Sequence, residues 1–196
     1  MAKLKFYYGV MGAGKTTELL KTYDIYSRKG LNPLIIKPNI DDREGAFKGW
    51  GFTSSRLIPE KTKAYYFSDL KTELPSLNYG TLFVDEAQFM TKEDILFLST
   101  IIHTQNIDVL AYGLKTDVNG NLFPGAAALL AIADETRELE TLCEMDNCQN
   151  KAVAHLRYID GKLDNSNEAI AIEKNKVTYK SVCNYHWLLA KGKLSR

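Results

Sequence analysis

The chain has 196 residues, with 45% hydrophobic and 25% charged side chains, which fits one globular domain of ordinary size or one domain with a small appendage. A formal net charge of +1 argues against a protein devoted to nucleic acid or to a membrane surface. No apolar run reaches the roughly 18 residues of a transmembrane helix. The mixed segment Met1–Phe6 does not make a signal peptide, so the expected location is cytoplasmic.

In chain order, residues 3–8 form a short apolar-aromatic run closed by Gly9 and predict a buried strand. Residues 16–28 carry Leu19, Leu20, Tyr23 and Tyr26 at helical intervals, with Gly30 and Asn32 as stop signals. A second strand is predicted at 34–37, ended by Pro38. Residues 39–62, with Gly45, Gly49, Gly51 and a Thr-Ser-Ser run, read as a long loop. Strands follow at 81–85 and 108–112, with a helix over 92–102 between them and an Ala/Leu-rich helix over 125–133. Strands that alternate with helices imply βαβ units and a mostly parallel sheet covered on both faces. After about residue 140 the texture changes: long helical periods stop and Cys143, Cys148 and Cys183 appear. The expected division is a nucleotide-binding domain over 1–139, a small lobe over 140–190 and a frayed tail over 191–196. His103 and His155 read as ordinary residues, on a helix face and in a loop respectively.

Gly9-Val10-Met11-Gly12-Ala13-Gly14-Lys15-Thr16 has the G-x-x-x-x-G-K-[ST] spacing, between a predicted strand and a predicted helix. Glycines let successive backbone N–H groups converge on one anion, and the helix start adds partial positive charge. Lys15 then faces the outer phosphates of ATP, and the Thr16 hydroxyl suits Mg²⁺. Asp85 and Glu86 follow the strand TLFV. Asp85 at that strand end can reach the Mg²⁺ held by Thr16, and Glu86 is placed to take a proton from an attacking hydroxyl. Fold class is therefore α/β, a P-loop NTPase-like sheet. In a reducing compartment three cysteines read as thiols or metal ligands, and Cys143-x4-Cys148 with Cys183-x2-His186 suits a closed, structural Zn²⁺ site in the small lobe.

Taken together these residues resemble the type II, or cellular-type, thymidine kinases over nearly the whole chain. The landmarks are GVMGAGKT at 9–16, KPNIDDR at 37–43, FVDEAQF at 83–89, GLKTD at 113–117, LFPG at 122–125 and YKSVCNYH at 179–186. The resemblance implies transfer of the ATP γ-phosphoryl to the 5′-hydroxyl of thymidine or deoxyuridine in deoxynucleotide salvage, with Mg²⁺ as cofactor and structural Zn²⁺. It implies Glu86 as general base, Lys15 and Arg43 near the transferring phosphoryl, and Asp85, Glu86, Ala87 and Gln88 beside the P-loop in the nucleotide site. Phe89, Leu114 and Val118 would line the thymine pocket, and Tyr179 would belong to a lasso closing over the nucleoside. A homotetramer inhibited by thymidine triphosphate is also implied. The chain departs from the family pattern at Val118, where an aromatic is common, and at Glu173–Lys176, where a Gly-Gly is common. It also has four residues between its first two cysteines where two are usual, and His186 in place of a cysteine. The rival readings are a kinase of another small acceptor and a zinc-bearing nucleic-acid module. Because Cys183 and His186 follow Tyr179, loosening the metal end is expected to disturb the nucleoside pocket more than the phosphate cradle.

Overall fold

The structure, a computed structural model, describes residues 2–38, 46–47, 50–58, 60–166 and 177–194. The elements are β1 (Leu4–Gly9), α1 (Lys15–Arg28), β2 (Pro33–Lys37), β3 (Ala46–Phe47), β4 (Trp50–Thr53), β5 (Thr62–Tyr66), α2 (Phe67–Leu70), β6 (Thr81–Val84), α3 (Lys92–Gln105), β7 (Asp108–Leu114) and α4 (Pro124–Ile132). They continue with β8 (Glu135–Glu138), β9 (Ala154–Ile159), β10 (Lys162–Leu163), β11 (Val177–Val182) and α5 (Asn184–Ala190). Among the described residues, eight strands form one sheet in the order β3-β4-β5-β2-β6-β7-β1-β8. The run from β5 to β8 is parallel, and β4 and β3 are added antiparallel at one edge.

Strand alternation sorts the core into two layers. Leu82, Val84, Val109, Ala111, Leu4 and Phe6 pack with α2, α3 and α4 on one face. Phe83, Leu110, Tyr112 and Ile35 pack with Leu19 and Leu20 of α1 on the other. Tyr23 and Tyr26 meet Phe83 edge-on at 6.0 and 5.7 Å. With both faces covered, β6 is buried at every residue, the behaviour of a central parallel strand. The helix stops predicted at Gly30 are real. Gly30 takes φ 71 while Leu31 N–H returns to the Tyr26 carbonyl at 3.0 Å and Gly30 N–H to Ser27 at 3.0 Å, a Schellman closure. Thr91 and Asp94 cap α3 reciprocally. No helix among the described residues is long and apolar enough to cross a membrane.

A second sheet, β10-β9-β11, is antiparallel and packs with α5 around Cys143, Leu156, Val182 and Cys183. Two expectations change here. The loop read over 39–62 contains β3, β4 and the start of β5, because Trp50–Thr53 pairs antiparallel with Thr62–Tyr65 and Ala46–Phe47 with Trp50–Gly51, partnerships no local pattern announces. His155 is not in a loop: it lies in β9, opposite Ser181 of β11, and is only 2% exposed. The tail residue Lys191 hydrogen-bonds Asn119 at 3.3 Å, and Gly192 N–H closes on Leu189 at 3.1 Å.

Candidate active site

The P-loop fills the gap between β1 and α1. Gly12 and Gly14 take φ 74 and 77, and a Cβ on either would meet nothing within 4 Å, so this side of the loop is open to a ligand. Gly9 is fixed for the opposite reason: a Cβ there would lie 2.5 Å from the Leu139 carbonyl oxygen. Lys15 donates to the Val10 carbonyl at 2.8 Å, folding back over its own loop. Burial lowers its pKa, while Glu86 and Asp85 work in the other direction. An arriving phosphate would likewise favour the charged lysine.

Asp85 sits at the end of β6, and its amide continues the ladder to Ile36 at 2.9 Å. One carboxylate oxygen accepts from Thr16 Oγ1 at 3.4 Å and from the Glu86 amide at 3.1 Å; the other accepts from Thr53 Oγ1 of β4. Two oxygens that share an ion at about 2.1 Å in octahedral geometry stand about 3 Å apart, so Thr16 and Asp85 are close to the spacing Mg²⁺ needs.

Glu86 takes φ 51, ψ 37, a left-handed conformation that costs a non-glycine residue about 1 kcal/mol. Its carboxylate is held: Gln88 Nε2 donates to Glu86 Oε2 at 2.5 Å, and Gln88 Oε1 accepts the Leu114 amide at 3.0 Å. The buried Gln88 thus spends both ends of its amide joining β7 to Glu86. Gly113 and Gly125 make this possible. A Cβ at Gly113 would stand 2.6 Å from Gln88 Oε1, and one at Gly125 would stand 2.3 Å from the Ala87 carbonyl oxygen.

Phe89 ends a 3-10 turn, Ala87–Phe89, and meets Phe123 edge-on at 5.6 Å; Leu114 is the last residue of β7. Val118 is buried, and its carbonyl accepts from Trp187 Nε1 at 3.3 Å. Tyr179 stands on β11 opposite Arg157. Alternation puts Tyr179 on the same face as Ser181, whose hydroxyl donates to the Met11 carbonyl at 2.6 Å. Arg43 and Glu173–Lys176 lie outside the described residues.

Sγ of Cys143, Cys148 and Cys183 and a ring nitrogen of His186 all lie within 4.8 Å of one another. Cys143 and Cys183 stand 3.4 and 3.3 Å from His186 Nδ1, and Cys148 stands 3.9 Å from Cys183. A tetrahedral ion with metal–sulfur bonds of about 2.3 Å and a metal–nitrogen bond of about 2.05 Å has edges of about 3.8 and 3.5 Å, which these distances match. A disulfide would need about 2.05 Å between sulfurs. Burial pushes the Cys183 thiol up, but hydrogen bonds from the His186 backbone and ring and from Cys148 and Cys143 outweigh it and bring it to about 7. The donor set therefore fits a closed tetrahedral metal ion.

Sequence reasoning missed three contributors. Thr53 was hidden in the supposed loop. His155 is buried, with Nε2 on the Thr116 carbonyl at 2.9 Å. Ser181 brings β11 into direct contact with the P-loop, so the cradle is not remote from the Cys/His cluster as the order of residues suggested.

The thymidine kinase family profile matches residues 2–187. A thymidine kinase of Mannheimia succiniciproducens is 40% identical over 99% of this chain and 99% of its own. One from Legionella pneumophila (strain Paris) is 38% identical over 95% of this chain and 90% of its own. Among solved structures, a Pif1 helicase from Candida albicans overlays 70% of this chain and 36% of its own at a TM-score of 0.40 and 13% identity, too loose a likeness to carry weight. With P-loop, acidic strand end and metal-ligand cluster in place, and with this match along nearly its full length, the chain belongs to the thymidine kinase family.

Proposed function

We propose that the chain transfers the γ-phosphoryl of ATP to the 5′-hydroxyl of thymidine or deoxyuridine, and that Glu86 is the base that takes the hydroxyl proton. The observation that carries this reading is the convergence of Lys15, the Thr16–Asp85 pair and an oriented Glu86 carboxylate at the mouth of one glycine loop. Gly9–Thr16 cradle the phosphates through backbone N–H groups, and Lys15 meets the charge that grows on the transferring group. Mg²⁺, when bound at Thr16 and Asp85, neutralises phosphate charge there. Glu86 accepts the proton while Gln88 keeps its carboxylate from swinging away. Phe89 and Leu114 offer apolar surface for the base, with Val118 and Tyr179 completing the pocket and Arg43 near the phosphoryl.

The rest of the reading follows from family membership and the donor geometry. Zinc is the ion for Cys143, Cys148, Cys183 and His186, since three soft sulfurs and one imidazole with no open position make a structural site. Residues 140–190 act as a lobe of their own around that ion, and the enzyme works in the cytoplasm, where thiols stay reduced. A homotetramer inhibited by thymidine triphosphate completes it; sedimentation and inhibition by that nucleotide test the two points. For the activity itself, the protein is incubated with ATP, Mg²⁺ and a panel of nucleosides. Thymidine monophosphate as the main product is expected, and its absence with another nucleoside phosphorylated instead would overturn the substrate.

A further inference from the structure

The P-loop is held from outside at one carbonyl. Ser181, 2% exposed, donates its hydroxyl to the Met11 carbonyl at 2.6 Å. Ser181 is itself gripped on both sides: its N–H donates to the Glu144 carboxylate, and its carbonyl accepts the Glu144 amide at 2.8 Å. Glu144 directly follows Cys143, and Ser181 stands two residues before Cys183. Each strap on Ser181 is thus rooted beside a metal ligand.

The consequence for the loop follows from peptide geometry. The Met11 carbonyl and the Gly12 N–H belong to one planar trans peptide and point in opposite directions. Fixing the carbonyl toward Ser181 turns the Gly12 N–H away from β11. A Cβ at Gly12, as at Gly14, would meet nothing within 4 Å, which marks the open side of the cradle. With φ 74 and no side chain, this peptide has little else to hold its rotation.

We propose that Ser181 is a positioning residue for phosphate binding: its hydroxyl locks the Met11–Gly12 peptide so that the Gly12 N–H faces the nucleotide. The inference rests on the reading of Gly9–Thr16 as the ATP cradle. Ser181 acts through the Met11 backbone.

The test compares Ser181→Ala and Ser181→Thr with wild type, using ATP affinity by calorimetry without nucleoside, the two KM values, zinc per chain and heat stability. Ser181→Ala should weaken ATP binding about tenfold, the worth of one buried hydrogen bond to an aligned group. The thymidine KM should stay within about twofold and zinc content should be unchanged. Ser181→Thr keeps the hydroxyl and should restore ATP affinity to within about threefold. With ATP bound, faster amide exchange at Gly12 in the alanine variant than in wild type is a second readout, independent of turnover. Unchanged ATP affinity in folded Ser181→Ala would overturn the proposal. So would a joint rise of both KM values with loss of zinc, which marks a merely structural role. Lys15→Ala separates the two readings: if it binds ATP like wild type, the cradle assignment fails, whatever Ser181 does.

Discussion

The phosphate cradle is assembled from consecutive residues, Gly9–Thr16, and backed by the two large core layers of the parallel sheet. The cluster of possible metal ligands draws its donors from 143, 148, 183 and 186 and, among the described residues, is backed by a small buried core of Cys143, Leu156, Val182 and Cys183 with partly buried neighbours. The first is a backbone conformation that the core holds rigid. On the proposed reading, the second relies on an ion to close a loop that hydrophobic burial alone supports weakly. The two regions should therefore fail differently: damage to the first should abolish chemistry in a folded protein, and damage to the second should unfold a lobe and reach chemistry indirectly.

The largest expected effect belongs to the first region. Glu86→Gln keeps shape and removes the proposed proton acceptor, so turnover should fall about a hundred- to ten-thousand-fold, with ATP affinity and heat stability close to wild type. Steady-state kinetics beside a melting curve measure both. Turnover within about threefold of wild type would take Glu86 out of the role.

His186→Ala probes the second region. Loss of one of four ligands should release zinc and lower Tm by about 10 °C, given that about 1 kcal/mol moves a chain of this size by roughly 2–4 °C. Metal analysis of wild type should give one zinc per chain. Folded, active protein with far less than one equivalent would remove the metal from the account. The thymidine KM should rise, and the Ser181–Met11 bond predicts a loss of ATP affinity as well.

Legibility in the sequence follows the same divide. The cradle could be read because it needs particular residue types at fixed spacing, and β6 because a buried parallel strand is a continuous apolar run, TLFV. The grouping of Cys143, Cys148, Cys183 and His186 could be read from residue type and spacing, and the fold does bring the four together. What could not be read depends on distant partners. β8 is Glu-Thr-Arg-Glu, almost wholly exposed, and is a strand only because β1 offers it an edge. β4 is created by β5, and with it Thr53 comes to Asp85. His155 carries no local signal of burial, since pairing with Ser181 puts it inside.

A glycine sharpens the comparison at smaller scale. Gly125→Ala would put a methyl 2.3 Å from the Ala87 carbonyl oxygen and 2.8 Å from that of Met90, both backbone atoms that cannot rotate aside. The expected cost is about 2 kcal/mol, with a fall in turnover because the 87–89 turn carries the Glu86–Gln88 pair. Denaturant unfolding and kinetics measured together should show both losses. Stability loss with unchanged kcat would mean that the turn keeps its shape while α4 moves.

The smallest effect lies where the regions join. His155 in β9 reaches the Thr116 carbonyl through Nε2, and its Nδ1 is buried with no hydrogen-bond partner among the described residues. Burial lowers its pKa below the ordinary 6.5; nearby Lys15 adds to this, while the Thr116 carbonyl and Asp117 oppose it. The folded state therefore binds this proton less readily than the unfolded chain. Above about 6.5 both states are neutral and the full stability is present. As pH falls below about 6.5 the unfolded chain takes up the proton first, so stability drops until the folded group also titrates. The slope in that window approaches about 1.4 kcal/mol per pH unit for one proton. His155→Gln keeps an N–H for Thr116 and has nothing to titrate. Denaturant midpoints for the two proteins should thus diverge least at pH 7.5 and shift toward the variant by pH 5.5. His103, His186 and the carboxylates are common to both proteins and cancel in the difference. Parallel stability curves across that window would show that His155 is protonated within the fold at no cost, and the closed join between the sheets would have to admit water.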